Sequence, residues 1–329
     1  MNVLVTGGSG QLGQSIREVA QDSEHRFIFT DLTSAEDVLG LDITDHDAVC
    51  RAVEEHDVDV IVNCAGYTDV EKSESEEGIA FKVNAEAVSV LAASAESKGA
   101  SIIHISTDYV FDGKSSEPYM EDAVPAPLSA YGRSKLAGER ALAASGAPYI
   151  IIRTSWLYSP YGKNFVKTIL AKSEELPVLK VVSDQVGTPT YAGDLAEFIL
   201  TLLEPENIVK TGIYNYTNEG VCSWYDLACE VCEMSGNLCE VIPCKTGEYP
   251  VKAARPHYSV LDKTKAKETF CIGIIQILCI VIILQQVRLH PVGQICSPGE
   301  PYPMDQHSLT FSLSILEADT PFIPGPSAT

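Results

Sequence analysis

The run Asn2-Val3-Leu4-Val5-Thr6 leads directly into Gly7, Gly10 and Gly13, spaced G-x-x-G-x-x-G, and a helical pattern opens at Gln11. No other stretch restricts the fold as strongly, because strand, tight glycine turn and helix in this order make the first half of a βαβ unit. Glycines let the backbone turn sharply and approach a pyrophosphate, whose charge the free amides and positive dipole end of the helix would hold. Gly7, Gly10, Gln11, Leu12 and Gly13 are therefore candidate dinucleotide-binding residues. The plainer alternative is an ordinary strand-to-helix connection. Asp31 strengthens the first reading, since it stands just past the second expected strand. A carboxylate there accepts a hydrogen bond from a ribose 2′-hydroxyl and repels a 2′-phosphate, which favours NADH and leaves NADPH open. For that residue a helix cap or a solvated turn charge is the alternative.

Through about residue 155 short β-branched runs alternate with longer helical patterns. Expected strands are Asn2 to Thr6, Arg26 to Thr30, Val58 to Cys64, Ser101 to Ser106 and Tyr149 to Arg153. Expected helices are Gln11 to Asp22, Asp45 to Glu55, Glu77 to Lys98, Ala130 to Ala144 and Asn164 to Glu175. That rhythm predicts an α/β fold, a doubly wound parallel sheet with helices on both faces. Further on, Ala192 to Leu203 and Ser223 to Met234 read as helices, with Gly212 to Tyr216 and Glu240 to Pro243 as strands. Ligands of open parallel sheets bind at the carboxyl ends of the strands. This brings in Asp42 and Ile43, and Cys64, Ala65 and Gly66, whose small size would let a dinucleotide lie close to the backbone.

Composition removes other classes. With 329 residues, 45% hydrophobic and 21% charged, the chain has an ordinary globular balance. Its formal charge of −22 opposes binding to nucleic acid or to anionic lipid. Met1 is followed by strand-like sequence without the basic start and apolar core of a signal peptide, so a cytoplasmic protein with no membrane partner is expected. The ten cysteines are scattered through a long chain, which suits reduced, buried thiols. Cys222, Cys229, Cys232 and Cys239 match no zinc spacing, and no metal site is expected.

Tyr131 and Lys135 form Y-x-x-x-K, which on a helix puts both side chains on one face. A nearby ammonium lowers a phenol's pKa, so Tyr131 is the expected proton donor to a carbonyl as hydride arrives, and Lys135 a further contact to the nicotinamide ribose. Thr107, ending the fourth strand, offers a hydroxyl to the substrate oxygen or to Tyr131. An exposed helix pair and a capping hydroxyl are the respective alternatives.

The set G-x-x-G-x-x-G, S-T-D-Y-V-F-D-G at 106–113, Y-G-R-S-K-L-A-G-E at 131–139 and R-T-S-W-L-Y at 153–158 resembles the dTDP-4-dehydrorhamnose reductase family of extended short-chain dehydrogenases. Asn63 to Asp69, Asp184 to Thr190, and Arg255-Pro256 ahead of Ser259 add to the likeness, which covers about residues 1 to 270. The resemblance implies a Rossmann domain over 1–155, rejoined by 192–216, and a smaller discontinuous substrate domain over 156–191 and 217–270. It also implies reduction of the C4 ketone of a dTDP-sugar by NADPH or NADH. It puts the family's catalytic threonine, tyrosine and lysine on Thr107, Tyr131 and Lys135. Asp108, Tyr109 and Trp156 fall at the sugar pocket, and Lys82 and Asn84 beside the cofactor; core packing is the alternative for Trp156. Some members pair through magnesium held by carboxylates. Gln14, Ser15 and Gly193 stand where the acids are expected, so any homodimer would form without that bridge. Two competing readings share these motifs: a nucleotide-sugar epimerase or dehydratase with tightly held NAD, and a noncatalytic dinucleotide-binding subunit like that of methionine adenosyltransferase.

From Cys271 the composition changes. Ile272 to Leu284 is almost wholly apolar without a polar helical face, and at 13 residues is shorter than the roughly 20 that span a bilayer as a helix. Residues 285–329 contain seven prolines and few charges. The expectation is that 271–329, a poorly ordered or aberrant tail such as a frameshift or mistaken gene end produces, lies outside the catalytic machinery.

Overall fold

Val3, Leu4 and Val5 are all fully buried, so strand β1 (Asn2–Thr6) has apolar neighbours on both faces, as a central parallel strand requires. The structure is a computed structural model that describes residues 1–249 and 251–276. Around β1 a seven-stranded, wholly parallel sheet is built with β2 (Arg26–Asp31), β3 (Leu39–Gly40), β4 (Val60–Asn63), β5 (Ser101–Thr107), β6 (Tyr149–Thr154) and β7 (Gly212–Asn215). The order is β7-β6-β5-β4-β1-β2-β3, so the winding reverses between β1 and β4 and a crevice opens at their carboxyl ends. This is the Rossmann-type doubly wound arrangement.

Helices cover both faces. On one, α1 (Gln11–Val19) sends Leu12 and Ile16 into a core shared with Leu195, Phe198 and Ile199. On the other, Val49 and Val53 of α2 (His46–Glu55), Leu91 and Ala95 of α3 (Ala87–Lys98) and Leu142 of α4 (Ala130–Ala143) pack against Ile61, Ile102 and Ile151. Between β6 and β7 the chain forms α5 (Phe165–Glu175) and α6 (Ala192–Leu202), the latter supplying Leu195, Phe198 and Ile199 to the first core. A second lobe has its own core, where Ile169 and Leu170 of α5 meet Leu227 and Val231 of α7 (Trp224–Ser235). Its ladder pairs Val178–Val182 with Glu240–Cys244 in parallel. Cys232 packs there as an ordinary apolar side chain, and among the described residues no group of three or more His, Cys, Asp or Glu side chains is placed to hold a metal.

Three expectations differ by more than one residue at an end, or in helix type. The helix expected over Gln11 to Asp22 is α-helical only to Val19 and tightens into a 3₁₀ turn at Ala20–Asp22. The strand expected from Val58 begins at Val60. The helix expected over Glu77 to Lys98 is continuous but contains one π turn, Lys82–Glu86, centred on the buried Asn84. By length and apolarity that run could cross a membrane, but Leu91, Ala92 and Ala95 on it are spent on the protein core. At the carboxyl end, α8 (Thr264–Phe270) stops at Cys271, which takes a left-handed conformation with φ of 53°. The composition changes there, yet packing continues. Ile272 and Ile274 lie against the first core, and Ile275 accepts a hydrogen bond from the Glu219 amide. The remainder of the apolar run and the proline-rich segment, residues 277–329, lie outside the described residues.

Candidate active site

The glycine turn is dictated by close contacts. Gly7 has φ of +68°, and a Cβ on it would sit 2.7 Å from the Ala65 nitrogen, while a Cβ on Gly13 would sit 2.3 Å from the Gly7 carbonyl oxygen. Helix α1 therefore presses onto the end of β1, and β1 onto the turn after β4. Gly10 caps α1 with no side-chain hydrogen bond, and the first turn carries no acid, which leaves the amino end of the helix open to an anion. Asp31 holds the rim of this cradle, its carboxylate accepting from the Ser9 amide at 2.9 Å and the Leu32 amide at 2.8 Å. Asp42 is committed to its own turn by bonds from the Thr44 amide and hydroxyl, which hold its carboxyl below the usual range. These groups suit a dinucleotide: a backbone cradle that a Cβ would fill, an uncapped helix end, and a carboxylate at the far rim.

Tyr131 and Lys135 are fixed by α4. Ser129 caps the helix by accepting from the Gly132 amide, and Gly138 lets the helix approach the π turn so closely that a Cβ would lie 2.1 Å from the Asn84 carbonyl oxygen. Asn84 binds outward in both directions, accepting from the Tyr67 amide at 2.8 Å and donating to the Ser134 hydroxyl at 3.0 Å. It thus joins the loop after β4 to the helix bearing Tyr131, and the π turn is the local cost of that arrangement. The buried ion pair Arg153–Glu139, with Ser106 donating to the same carboxylate, ties β5 and β6 to the other side of α4. Arg153 in the R-T-S-W motif is therefore structural.

Lys135 is buried and donates to the Ile105 carbonyl at 2.6 Å; burial pushes its pKa down to about 8. Burial pushes Tyr131 up to about 12, opposed by a hydrogen bond with Thr107 and reinforced by the charge of Asp108. This corrects the expectation of a tyrosine acidified by its lysine: the ammonium is turned to the Ile105 carbonyl, and desolvation dominates the phenol. The result is a tyrosine held fully protonated at neutral pH, as a proton donor must be. Thr107 donates to Asp108 at 3.0 Å and accepts from the Tyr109 amide at 3.2 Å. Asp108 is buried and raised to about 6 by desolvation, which the nearby Ser259 and Thr107 hydroxyls oppose, with its second carboxylate oxygen lacking a protein partner. Tyr109 meets Tyr131 edge-to-face at 5.5 Å, and its phenol is raised by burial.

A single cavity of about 790 Å³ is lined by Gly7, Gly10, Gln11, Leu12, Gly13, Asp31, Asp42, Ile43, Cys64, Ala65, Gly66, Thr107, Asp108, Tyr109, Tyr131, Lys135 and Trp156. The residues singled out from the sequence for cofactor, substrate or catalysis thus border one space, except Lys82 and Asn84, which do not line it; Asn84 is buried behind the wall, bonded to Tyr67 and Ser134. Sequence reasoning missed Leu32, Tyr67, Thr68, Ser155, Gly162 and Lys163 on the same wall. The last two belong to a loop strapped to α1, where Ser159 and Asn164 both donate to the Gln11 side-chain oxygen at 3.1 and 3.0 Å. No local pattern announces that contact, since the partners are about 150 residues apart. For Tyr67 and Thr68 a signal existed: they directly follow Gly66 at a strand's carboxyl end.

Comparison with known proteins agrees with this geometry. A family model described as the RmlD substrate binding domain matches residues 1–277, seven residues beyond the reach read from motifs alone. A dTDP-4-dehydrorhamnose reductase from Aggregatibacter actinomycetemcomitans is 39% identical over 277 residues, 82% of this chain and 92% of that protein. Among solved structures, a dTDP-4-dehydrorhamnose reductase from Clostridium acetobutylicum superposes with a TM-score of 0.81 at 40% identity, covering 88% of this chain and 100% of the other. One from Bacillus anthracis, in complex with NADP, gives 0.78 at 34% identity, covering 88% and 98%. Fold, cavity and relatives converge: the chain belongs to the RmlD substrate binding domain family, that of the dTDP-4-dehydrorhamnose reductases.

Proposed function

We propose that the chain reduces the C4 ketone of dTDP-4-dehydro-L-rhamnose to dTDP-L-rhamnose with NADH or NADPH, and that Tyr131 is the general acid. The convergence of Thr107, Tyr131 and Lys135 on the cavity that also holds the glycine turn carries this reading. When bound, the dinucleotide supplies the hydride that C4 receives and leaves oxidised. Gly7, Gly10 and Gly13 with the amino end of α1 hold its pyrophosphate, Asp31 its adenosine ribose, and Lys135 its nicotinamide ribose. Tyr131 delivers its phenolic proton to the ketone oxygen, and Thr107 positions that oxygen by hydrogen bonding. Acid catalysis of this kind contributes about 10²–10⁴-fold. Asp108, Tyr109 and Trp156 form the sugar-side wall.

Residues 1–155 with 192–216 carry the cofactor in this account, and 156–191 with 217–270 the sugar nucleotide. Gln14, Ser15 and Gly193 offer no carboxylates, so the account includes no magnesium-bridged dimer. The complex of the Bacillus anthracis relative supports NADP, whereas the carboxylate of Asp31 favours NADH. The test is absorbance of reduced cofactor with purified protein and the ketosugar nucleotide. One cofactor is expected to be oxidised per sugar reduced, with NADH preferred. Conversion of sugar without net oxidation points to an epimerase or dehydratase. Cofactor binding without any turnover points to a regulatory subunit, and either result removes the reading.

A further inference from the structure

The sequence contains two tryptophans, and the fold stacks them on each other. Trp156 borders the cavity just after β6 and has φ of 48°, a left-handed conformation that bulky residues keep only where their surroundings over-determine it. Three features of the second lobe do so. The ring of Trp224 lies parallel to that of Trp156, with centroids 3.5 Å apart and an interplanar angle of 9°, and Phe165 backs Trp224 at 4.5 Å. Trp224 is the first residue of α7, whose start is fixed by a capping box between Ser223 and Asp226. Gly187, paired with Cys222 just ahead of that cap, lies under the indole so closely that a Cβ would be 2.7 Å from its ring.

From this geometry we infer that Trp224 is a positioning residue, which holds the Trp156 ring in place as the sugar-side wall of the cavity. It does not line the cavity; its effect passes through Trp156. Because it opens a helix of the second lobe, the stack sets the width of the pocket by how that lobe packs on the end of β6. The inference rests on the proposed sugar site, and its test separates the two.

The variants Trp224→Leu, Trp224→Phe and Trp156→Leu are compared with the wild-type chain in steady-state reduction of the ketosugar nucleotide. In W224L the KM for the sugar nucleotide is expected to rise roughly three- to tenfold, the scale of a lost aromatic pair. Its kcat and its KM for the cofactor are expected to stay within about twofold, since binding to the sugar is what changes. W224F, which keeps a flat ring, restores most of the affinity. The far-ultraviolet circular dichroism exciton couplet of two stacked indoles disappears in W224L and W156L alike. A W224L chain with an unchanged sugar KM overturns the inference, and so does one that loses cofactor affinity equally, since its role is then general support of the fold. If W156L itself keeps a wild-type KM, the sugar-site reading fails and takes the inference with it. If W156L raises KM and W224L does not, only the inference fails.

Discussion

The two sides of the cavity are built by different means. On the cofactor side, the turn at Gly7–Gly13 and the strand end at Cys64–Gly66 are main-chain features carried by short motifs, with the carboxylates of Asp31 and Asp42 held mainly by nearby amides. On the sugar side, Asp108 lies beside Ser259, and Trp156 leans on Trp224, so the wall is assembled from side chains far apart in sequence. A backbone cradle tolerates side-chain change but not added atoms. A side-chain wall tolerates neither loss of a ring nor loss of a hydroxyl.

That contrast can be broken most sharply at the seam. Thr107→Val removes the hydroxyl between Tyr131 and Asp108 while keeping the side-chain shape, and turnover is expected to fall about 10²–10³-fold, the scale of a lost transition-state donor. Thr107→Ser should recover most of it; near-normal turnover in the valine variant would mean that Thr107 serves only to cap the Asp108–Val110 turn.

On the cofactor side, Gly13→Ala puts a methyl into the Gly7 carbonyl. Overpacking of this kind typically costs about 1–3 kcal/mol. Titration of cofactor fluorescence should show affinity weakened by roughly ten- to a hundredfold, with the sugar KM at saturating cofactor nearly unchanged. Equal weakening of both ligands would show that the two halves do not act separately.

The sugar side carries the smaller, pH-dependent effect. Burial raises Asp108 from an ordinary carboxylate value near 3.8 to about 6, so the folded state binds this proton more tightly than the unfolded chain does. Its share of stability is therefore fully present below pH ~4 and is lost as pH rises through about 6, by up to about 3 kcal/mol. Asp108→Asn should flatten that part of the stability curve, as read by urea denaturation at pH 4.5 and 7.5. Parallel wild-type and variant curves would mean that Asp108 ionises as it does in water.

The same contrast explains what the sequence made legible. Cofactor-side chemistry is local: G-x-x-G-x-x-G after a strand specifies its own turn, and Y-x-x-x-K its own helix face, so those residues were readable one motif at a time. The strap from Ser159 and Asn164 to Gln11, the ladder joining Val178–Val182 to Glu240–Cys244, and the tryptophan stack depend on how distant segments meet, which periodicity does not encode. Trp156 was named through family resemblance, whereas Trp224 passed unnoticed as one apolar residue in a helical run. The electrostatics of Tyr131 were misjudged for a related reason. Spacing placed Lys135 on the same helix face but could not reveal that its ammonium bonds to the Ile105 carbonyl, leaving burial to govern the phenol.

The central claim is that cofactor and sugar sites meet at a protonated Tyr131. Its most direct test is Tyr131→Phe, with cofactor and product affinities measured alongside single-turnover reduction. The account predicts both affinities near wild type and a reduction rate lower by about 10²–10⁴-fold. A wild-type rate in the phenylalanine variant would contradict it.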